Sequence, residues 1–188
     1  MKHALRLMVG IAALLCVTVA SAQKQDAGLY VATPQEVVDA MLDMGSVGAA
    51  DYVIDLGSGD GRIVRSAARR FGASGVGVEI DPELVTLANN EAKKEGVGAR
   101  ARFVSADLWS FDVSKATVVT VYLLPSAQAR LKQKLLAELK PGTRIVSHDY
   151  PFPDWNPIAH KVVIDHTKFA VIGEGKATLY LYVVPARY

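Results

Sequence analysis

Residues 55–61 read Asp55-Leu56-Gly57-Ser58-Gly59-Asp60-Gly61, three glycines at alternate positions with an acid before the first and another before the last. Glycine permits a tight turn and lets a ligand approach the backbone, and a helix that starts at the end of such a loop points N–H groups at that ligand. A dinucleotide fingerprint needs a further glycine three positions after Gly59, and Arg62 stands there instead. By itself the loop could also be a plain turn. Two more acids add to it. Glu79 closes an apolar run 18 residues after Gly61, where a carboxylate can accept from both hydroxyls of a ribose or, alternatively, pair with a helix arginine. Asp107, in Ser105-Ala106-Asp107-Leu108-Trp109, can accept from an adenine amino group while Leu108 packs on the ring; it could equally cap a helix.

These acids must be brought together by the elements between them. Thr33-Pro34-Gln35-Glu36 reads as a helix start, with Thr33 as the cap, Pro34 at the first helical position and Glu36 closing a capping box. Val37, Val38, Met41 and Leu42 make one apolar face, and Gly45 can end that helix. Strands are expected over 52–56, 75–79, 102–106, 117–124 and 143–147. Helices are expected over 62–71, from the cap Asp81-Pro82 to Gly96, and over 126–140, the last stopped by Pro141-Gly142. In the first of these, Arg62, Arg65, Arg69 and Arg70 read as a solvated face. The tail reads as strands over 161–165, 168–172 and 177–184, with Gly173-Glu174-Gly175 as a hairpin turn. Strand–helix alternation followed by strands alone predicts an α/β fold. It is a single doubly wound, Rossmann-like domain with a mostly parallel sheet and antiparallel C-terminal strands. Asp55, Glu79 and Asp107 then all fall at carboxyl ends of neighbouring parallel strands, where such sheets bind ligands.

The alternating glycines, with an acid two residues before the first, resemble motif I of the class I S-adenosylmethionine-dependent methyltransferases. That cofactor carries a carboxylate for backbone N–H groups and cationic groups for Asp55 and Asp60. Four blocks extend the resemblance from about Leu29 to Tyr182: Tyr30-Val31-Ala32-Thr33-Pro34, the loop through Arg62, TVVTVYLLP at 117–125 and PGTRIVSHDYPF at 141–152. In that order they resemble the seven-strand protein-lysine N-methyltransferases of archaeal and mitochondrial type, the ATP synthase c-subunit lysine methyltransferase family. The resemblance implies methyl transfer from S-adenosyl-L-methionine to a lysine ε-amine. It implies cofactor contacts at Tyr30, Thr33, Asp55, Gly57, Ser58, Gly59, Asp60, Glu79, Ile80, Asp107 and Leu108, with Tyr30 and Thr33 closing over the methionine end. Ala32 replaces the family's usual proline in the first block. After the fourth strand, Val121-Tyr122-Leu123-Leu124-Pro125 stands where enzymes acting on adenine or glutamine amides carry an N-P-P-Y-like turn. A lysine amine has a reference pKa of ~10.4, so its site must desolvate it and release a proton before it attacks. Tyr122 is the candidate to accept from or orient the amine, and His148 to relay the proton, with core tyrosine and hydrogen-bonded wall as the alternatives. Trp155 could line the acceptor channel or anchor the core.

The rest of the chain bounds this reading. Lys2 and Arg6 precede an apolar run of about 13 residues from Met8, which ends in Ala20-Ser21-Ala22. That is the pattern of a signal peptide over 1–22, followed by a linker over 23–29 and the domain over 30–188. The run is short of the ~20 residues a membrane-spanning helix needs. Export with cleavage is expected, so no stable membrane insertion follows; an N-terminally anchored form is the alternative. Beyond residue 22 the chain holds 19 basic and 19 acidic residues, which argues against nucleic acid as a partner. Cys16, the single cysteine, lies in the leader, so disulfides, cysteine-ligated zinc and thiol catalysis are excluded beyond it. His3, His160 and His166 do not cluster with acids at ligand spacing, and no metal is expected. The partner is a substrate protein or, alternatively, a small molecule. A non-catalytic S-adenosylmethionine-binding module and, further off, a nicotinamide oxidoreductase are the competing classes.

Overall fold

The structure is a computed structural model that describes residues 31–166, 168 and 175–186. The leader over 1–22, the linker over 23–29, Tyr30, most of the strand expected at 168–172 and the turn residues 173 and 174 lie outside them. The elements are α1 (Gln35–Met44), β1 (Tyr52–Leu56), α2 (Arg62–Phe71), β2 (Ser74–Glu79), α3 (Pro82–Lys94), β3 (Ala101–Ser105), β4 (Val118–Val121), α4 (Pro125–Glu138), β5 (Arg144–His148), β6 (Ala159–Ile164) and β7 (Lys176–Val183).

The seven strands form one sheet in the order β3-β2-β1-β4-β5-β7-β6. β1 to β5 pair in parallel, and β7 runs antiparallel to both β5 and β6. The order reverses between β1 and β4, which makes that boundary the place where a doubly wound sheet opens a ligand crevice. Period-2 alternation divides the core. Val53, Val118, Val146 and Leu179 pack under α1 and α2, whereas Ile54, Leu56, Val119, Val121 and Ile145 pack with Leu131 and Leu135 of α4. A third cluster joins Val64 and Ala68 of α2, Ala88 and Ala92 of α3, and Ala101 and Phe103 of β3.

Four local expectations change. Pro34 occupies the cap position of α1 and its carbonyl accepts from the Val37 and Val38 N–H groups, so Thr33 does not cap and the capping box does not form. The strand expected over 117–124 ends at Val121, which frees Tyr122 from the sheet. Of the α2 arginines, Arg69 and Arg70 are exposed, as on a solvated face, while Arg62 and Arg65 are half-buried. Arg70 pairs with Asp39 of α1 at 2.6 Å, Arg65 pairs with Glu95 just after α3, and Arg62 reaches back to Asp60. Both edges of β7 are taken, by β5 and by β6, and Lys168 lies in no strand.

Candidate functional site

Gly57, Gly59 and Gly61 all have positive φ, at 78°, 54° and 79°, so the loop turns sharply between β1 and α2. At Gly61 a β-carbon would overlap the Phe103 ring and sit 2.8 Å from the Ala88 methyl. The missing side chain therefore lets α2 start against α3 and β3. The loop is fastened from below by Glu79. Its Oε2 accepts from the Gly59 N–H at 2.9 Å, and its Oε1 accepts from Ile80 at 2.8 Å and Asp81 at 3.0 Å. A carboxylate offers about four lone-pair sites, so Oε2 keeps one open for a ligand. Glu79 makes no ion pair with the helix arginines among the described residues.

Asp55 is 2% exposed and its Oδ1 accepts from the Thr120 hydroxyl at 2.7 Å, across the β1–β4 pairing that sets Asp55 opposite Thr120. Burial raises the Asp55 carboxyl to about 7; the Thr120 hydrogen bond opposes the rise, and the Glu79 and Asp60 charges add to it. For Asp60, burial pushes the carboxyl up, but its hydrogen bonds and charge contact with Arg62 outweigh that and hold it below its ordinary value. Arg62 donates from Nη2 to Asp60 at 2.7 Å and from Nη1 to the Thr33 carbonyl at 2.8 Å, so the segment before α1 is tied onto the glycine loop. The sequence reading missed this bridge; a basic residue two positions after a loop acid is its only local signal.

One cleft collects these groups. Its walls include Thr33, Asp55, Gly57, Ser58, Asp60, Arg62, Glu79, Ile80, Asp107, Leu108, Tyr122 and Tyr150. Of the expected cofactor residues, Gly59 contributes through its backbone bond to Glu79, and Tyr30 lies outside the described residues. The Ser58 hydroxyl is buried with no hydrogen-bond partner. Asp107 Oδ1 accepts from the Trp109 N–H at 3.0 Å, a local cap within a residue that also lines the cleft. Together, a glycine cradle, a buried carboxyl half-protonated near neutrality, an orphaned hydroxyl and a carboxylate at the β2 tip fit a ligand with carboxylate, cationic and ribose groups.

At the other end of the cleft the wall is aromatic. Tyr122 stacks on His148 with ring centroids 3.8 Å apart and lies 6.4 Å from Tyr150. His148 is 1% exposed, sits behind Tyr122 and is not on the cleft wall, and neither ring nitrogen has a hydrogen-bond partner. Burial lowers its pKa to about 4, against the Asp149 charge, so the imidazole is neutral at pH 7. Trp155 packs against Phe152 and Tyr182 at 5.6 and 5.0 Å, in the core layer beside α4.

Comparison with known proteins matches this geometry. The profile of the ANTKMT methyltransferase domain covers residues 55–159. The chain is 44% identical over 156 residues to a protein-lysine N-methyltransferase of Saccharolobus islandicus (strain REY15A), across 82% of this chain and 92% of that one. It is 37% identical over 134 residues to the ATP synthase c-subunit lysine N-methyltransferase of Rattus norvegicus, across 71% of this chain but only 56% of that one. Among solved structures, an RNA methyltransferase from Salinibacter ruber in complex with S-adenosyl-L-homocysteine superposes with a TM-score of 0.75 at 44% identity, covering 84% of this chain and 96% of that one.

Proposed function

The chain belongs to the ANTKMT methyltransferase domain family, whose cofactor is S-adenosylmethionine, and from that premise we propose that it methylates the ε-amine of a protein lysine. The observation that carries the proposal is the cleft's composition. Its cofactor end is polar and acidic, and its far end is walled by Tyr122, Tyr150, Leu123 and Leu124. When bound, S-adenosylmethionine supplies an electrophilic methyl group. The chain's own residues must then strip water from an ammonium, hold it and let it lose a proton. Aromatic faces attract a cation while excluding water, which suits Tyr122 and Tyr150 to the first task. Burial first, then the Asp149 charge, raises the Tyr122 phenol above its ordinary value. A phenol kept neutral accepts from the amine through its oxygen but does not act as an anionic base. From behind the ring, His148 can relay a proton only through Tyr122 or Asp149. The names of the Saccharolobus islandicus and Rattus norvegicus relatives favour a protein lysine as acceptor, whereas the Salinibacter ruber protein, also 44% identical, is titled an RNA methyltransferase.

The test incubates the full chain with radiolabelled S-adenosylmethionine, with cell-envelope proteins in one arm and total RNA in another. Label on protein lysines, located by mass spectrometry, is the expected result. Label confined to RNA, glutamine, carboxylates or a small metabolite overturns the acceptor. Tight cofactor binding without transfer favours the binding-module reading. Tyr122→Phe should lower kcat/KM about three- to tenfold, the loss of one hydrogen bond, with cofactor affinity unchanged.

We also propose that residues 1–22 are a cleaved export signal. Lys2, Arg6, the apolar run and Ala20-Ser21-Ala22 support it. No helix among the described residues is long and apolar enough to cross a membrane.

A further inference from the structure

Strand β4 ends at Val121, so the sheet does not hold the next residue, Tyr122, although its side chain lines the cleft. Its neighbour across the sheet is firmly held. β4 and β5 pair in parallel with Val121 opposite Ser147, and the same register carried one position further sets Tyr122 beside His148. His148 closes β5 and is paired on its other side with Leu179 of β7. Its flanks are fastened as well. The Ser147 hydroxyl donates to the Tyr150 carbonyl at 2.6 Å, and the Tyr150 N–H donates to the His148 carbonyl at 2.8 Å. The Asp149 N–H donates to the Thr178 carbonyl at 2.7 Å.

What His148 can offer Tyr122 follows from how it is buried. The two rings stack with centroids 3.8 Å apart and planes 27° from parallel. The imidazole is 1% exposed, and neither of its nitrogens has a hydrogen-bond partner. The charged groups facing it are Asp149, Asp165 and Lys168, with the Tyr122 phenol against its ring. Asp149 Oδ2 stands 3.5 Å from Nε2, but it already accepts from the Lys168 ammonium at 2.8 Å, while Oδ1 accepts from the Thr178 N–H at 3.0 Å. A proton relay needs a nitrogen within hydrogen-bond reach of the proton it moves. This ring lies behind Tyr122 and off the cleft wall. It presents to Tyr122 a flat face, and stacked aromatic pairs hold one another in a preferred geometry.

We propose that His148 is a positioning residue, a stacking platform rather than a proton relay: its fixed ring face sets the plane of Tyr122 and so keeps the phenol oxygen where the acceptor amine donates to it. The inference rests on the lysine reading above and on the role given there to Tyr122. His148 touches neither cofactor nor acceptor in this scheme. Its effect passes through the orientation of one ring, so it needs a flat face and no titrating nitrogen.

The test compares His148→Leu, which fills the space without a flat face, with His148→Phe, which keeps a face and has no ring nitrogen. Both are assayed with radiolabelled S-adenosylmethionine and the same envelope-protein mixture, and calorimetry measures cofactor affinity. His148→Leu should lower kcat about three- to tenfold, with cofactor affinity within about twofold of the parent. His148→Phe should recover most of that loss, and its kcat–pH profile should run parallel to the parent's. A phenylalanine variant that loses as much as leucine while binding cofactor normally, or whose profile drops a limb, shows that a nitrogen is used and overturns the platform. Phenylalanine is larger than histidine, so if it lowers Tm by more than about 5 °C a double-mutant cycle with Tyr122→Leu decides instead. With no ring left to orient, His148→Leu should then cost less than about twofold; an equal cost in both backgrounds overturns the inference. A silent His148→Leu in the parent, or one that loses cofactor affinity, overturns it too and leaves the lysine reading standing. If the parent methylates no lysine, the lysine reading falls and the inference falls with it.

Discussion

Asp55 is the acid whose charge depends most on what occupies the cleft. With its carboxyl raised to about 7 by burial, it is half protonated at neutrality in the ligand-free protein. A raised value means that its contribution to stability is full below the ordinary carboxyl range near 3.8 and is lost as pH rises through 7. A cation placed beside it reverses the balance, because binding then expels the proton. Cofactor affinity should accordingly strengthen as pH rises from 5.5 to 7.5, by up to about tenfold per unit below 7. Calorimetry at three pH values checks this, and in Asp55→Asn the pH dependence should flatten. An equally steep profile in the variant would assign the titration to another group.

Between elements, two joints shape the cleft. Glu79 links the β2 tip to the glycine loop through backbone N–H groups on both. Glu79→Ala removes one charge-assisted bond to the ligand and releases the Gly59 N–H from its partner, so cofactor affinity should fall by about one to two decades. Unchanged affinity by calorimetry would take Glu79 out of the ribose role. The second joint is Gly61, where α2 begins in a left-handed turn against Phe103 and Ala88. Gly61→Ala combines a forbidden φ with overpacking and should cost about 2–4 kcal/mol. Thermal unfolding should then show Tm lowered by roughly 5–15 °C. A shift under 2 °C would mean that α2 can slide away from β3.

Across the whole molecule, the strand order places the crevice at the β1–β4 reversal. The antiparallel β7 brings Thr178 against the end of β5, where it clamps Asp149. In the proposed reading the cofactor end is built by β1, β2 and the segment after β3, and the acceptor end by the segments after β4 and β5. The N-terminal segment bears on where this enzyme works. Mass spectrometry of the protein isolated from its native cells should find a chain beginning at Gln23. A chain beginning at Met1 in the cytosol would defeat export without touching the site.

Much of this could be read one residue at a time. The loop, the Asp81 cap of α3, the strand tips at Glu79 and Asp107, and the antiparallel tail follow from side-chain type and hydrophobic period. Those rules act within a few positions of the chain. Periodicity could not say where α1 is capped, because Arg62, far along the chain, claims the Thr33 carbonyl. Nor could it show that the α2 arginines are paired, since Asp39 and Glu95 approach only when the helices pack. His148 reads as a candidate base from its place after a strand. Only the fold buries it behind Tyr122 and lowers its pKa, through the water it excludes. Asp149 gave no local signal, because its partners Lys168 and Thr178 come from 19 and 29 residues away. Residue identity determined which groups could bind and react. Burial and distance, which belong to the packed chain alone, decided which of them carry charge and which face the cleft.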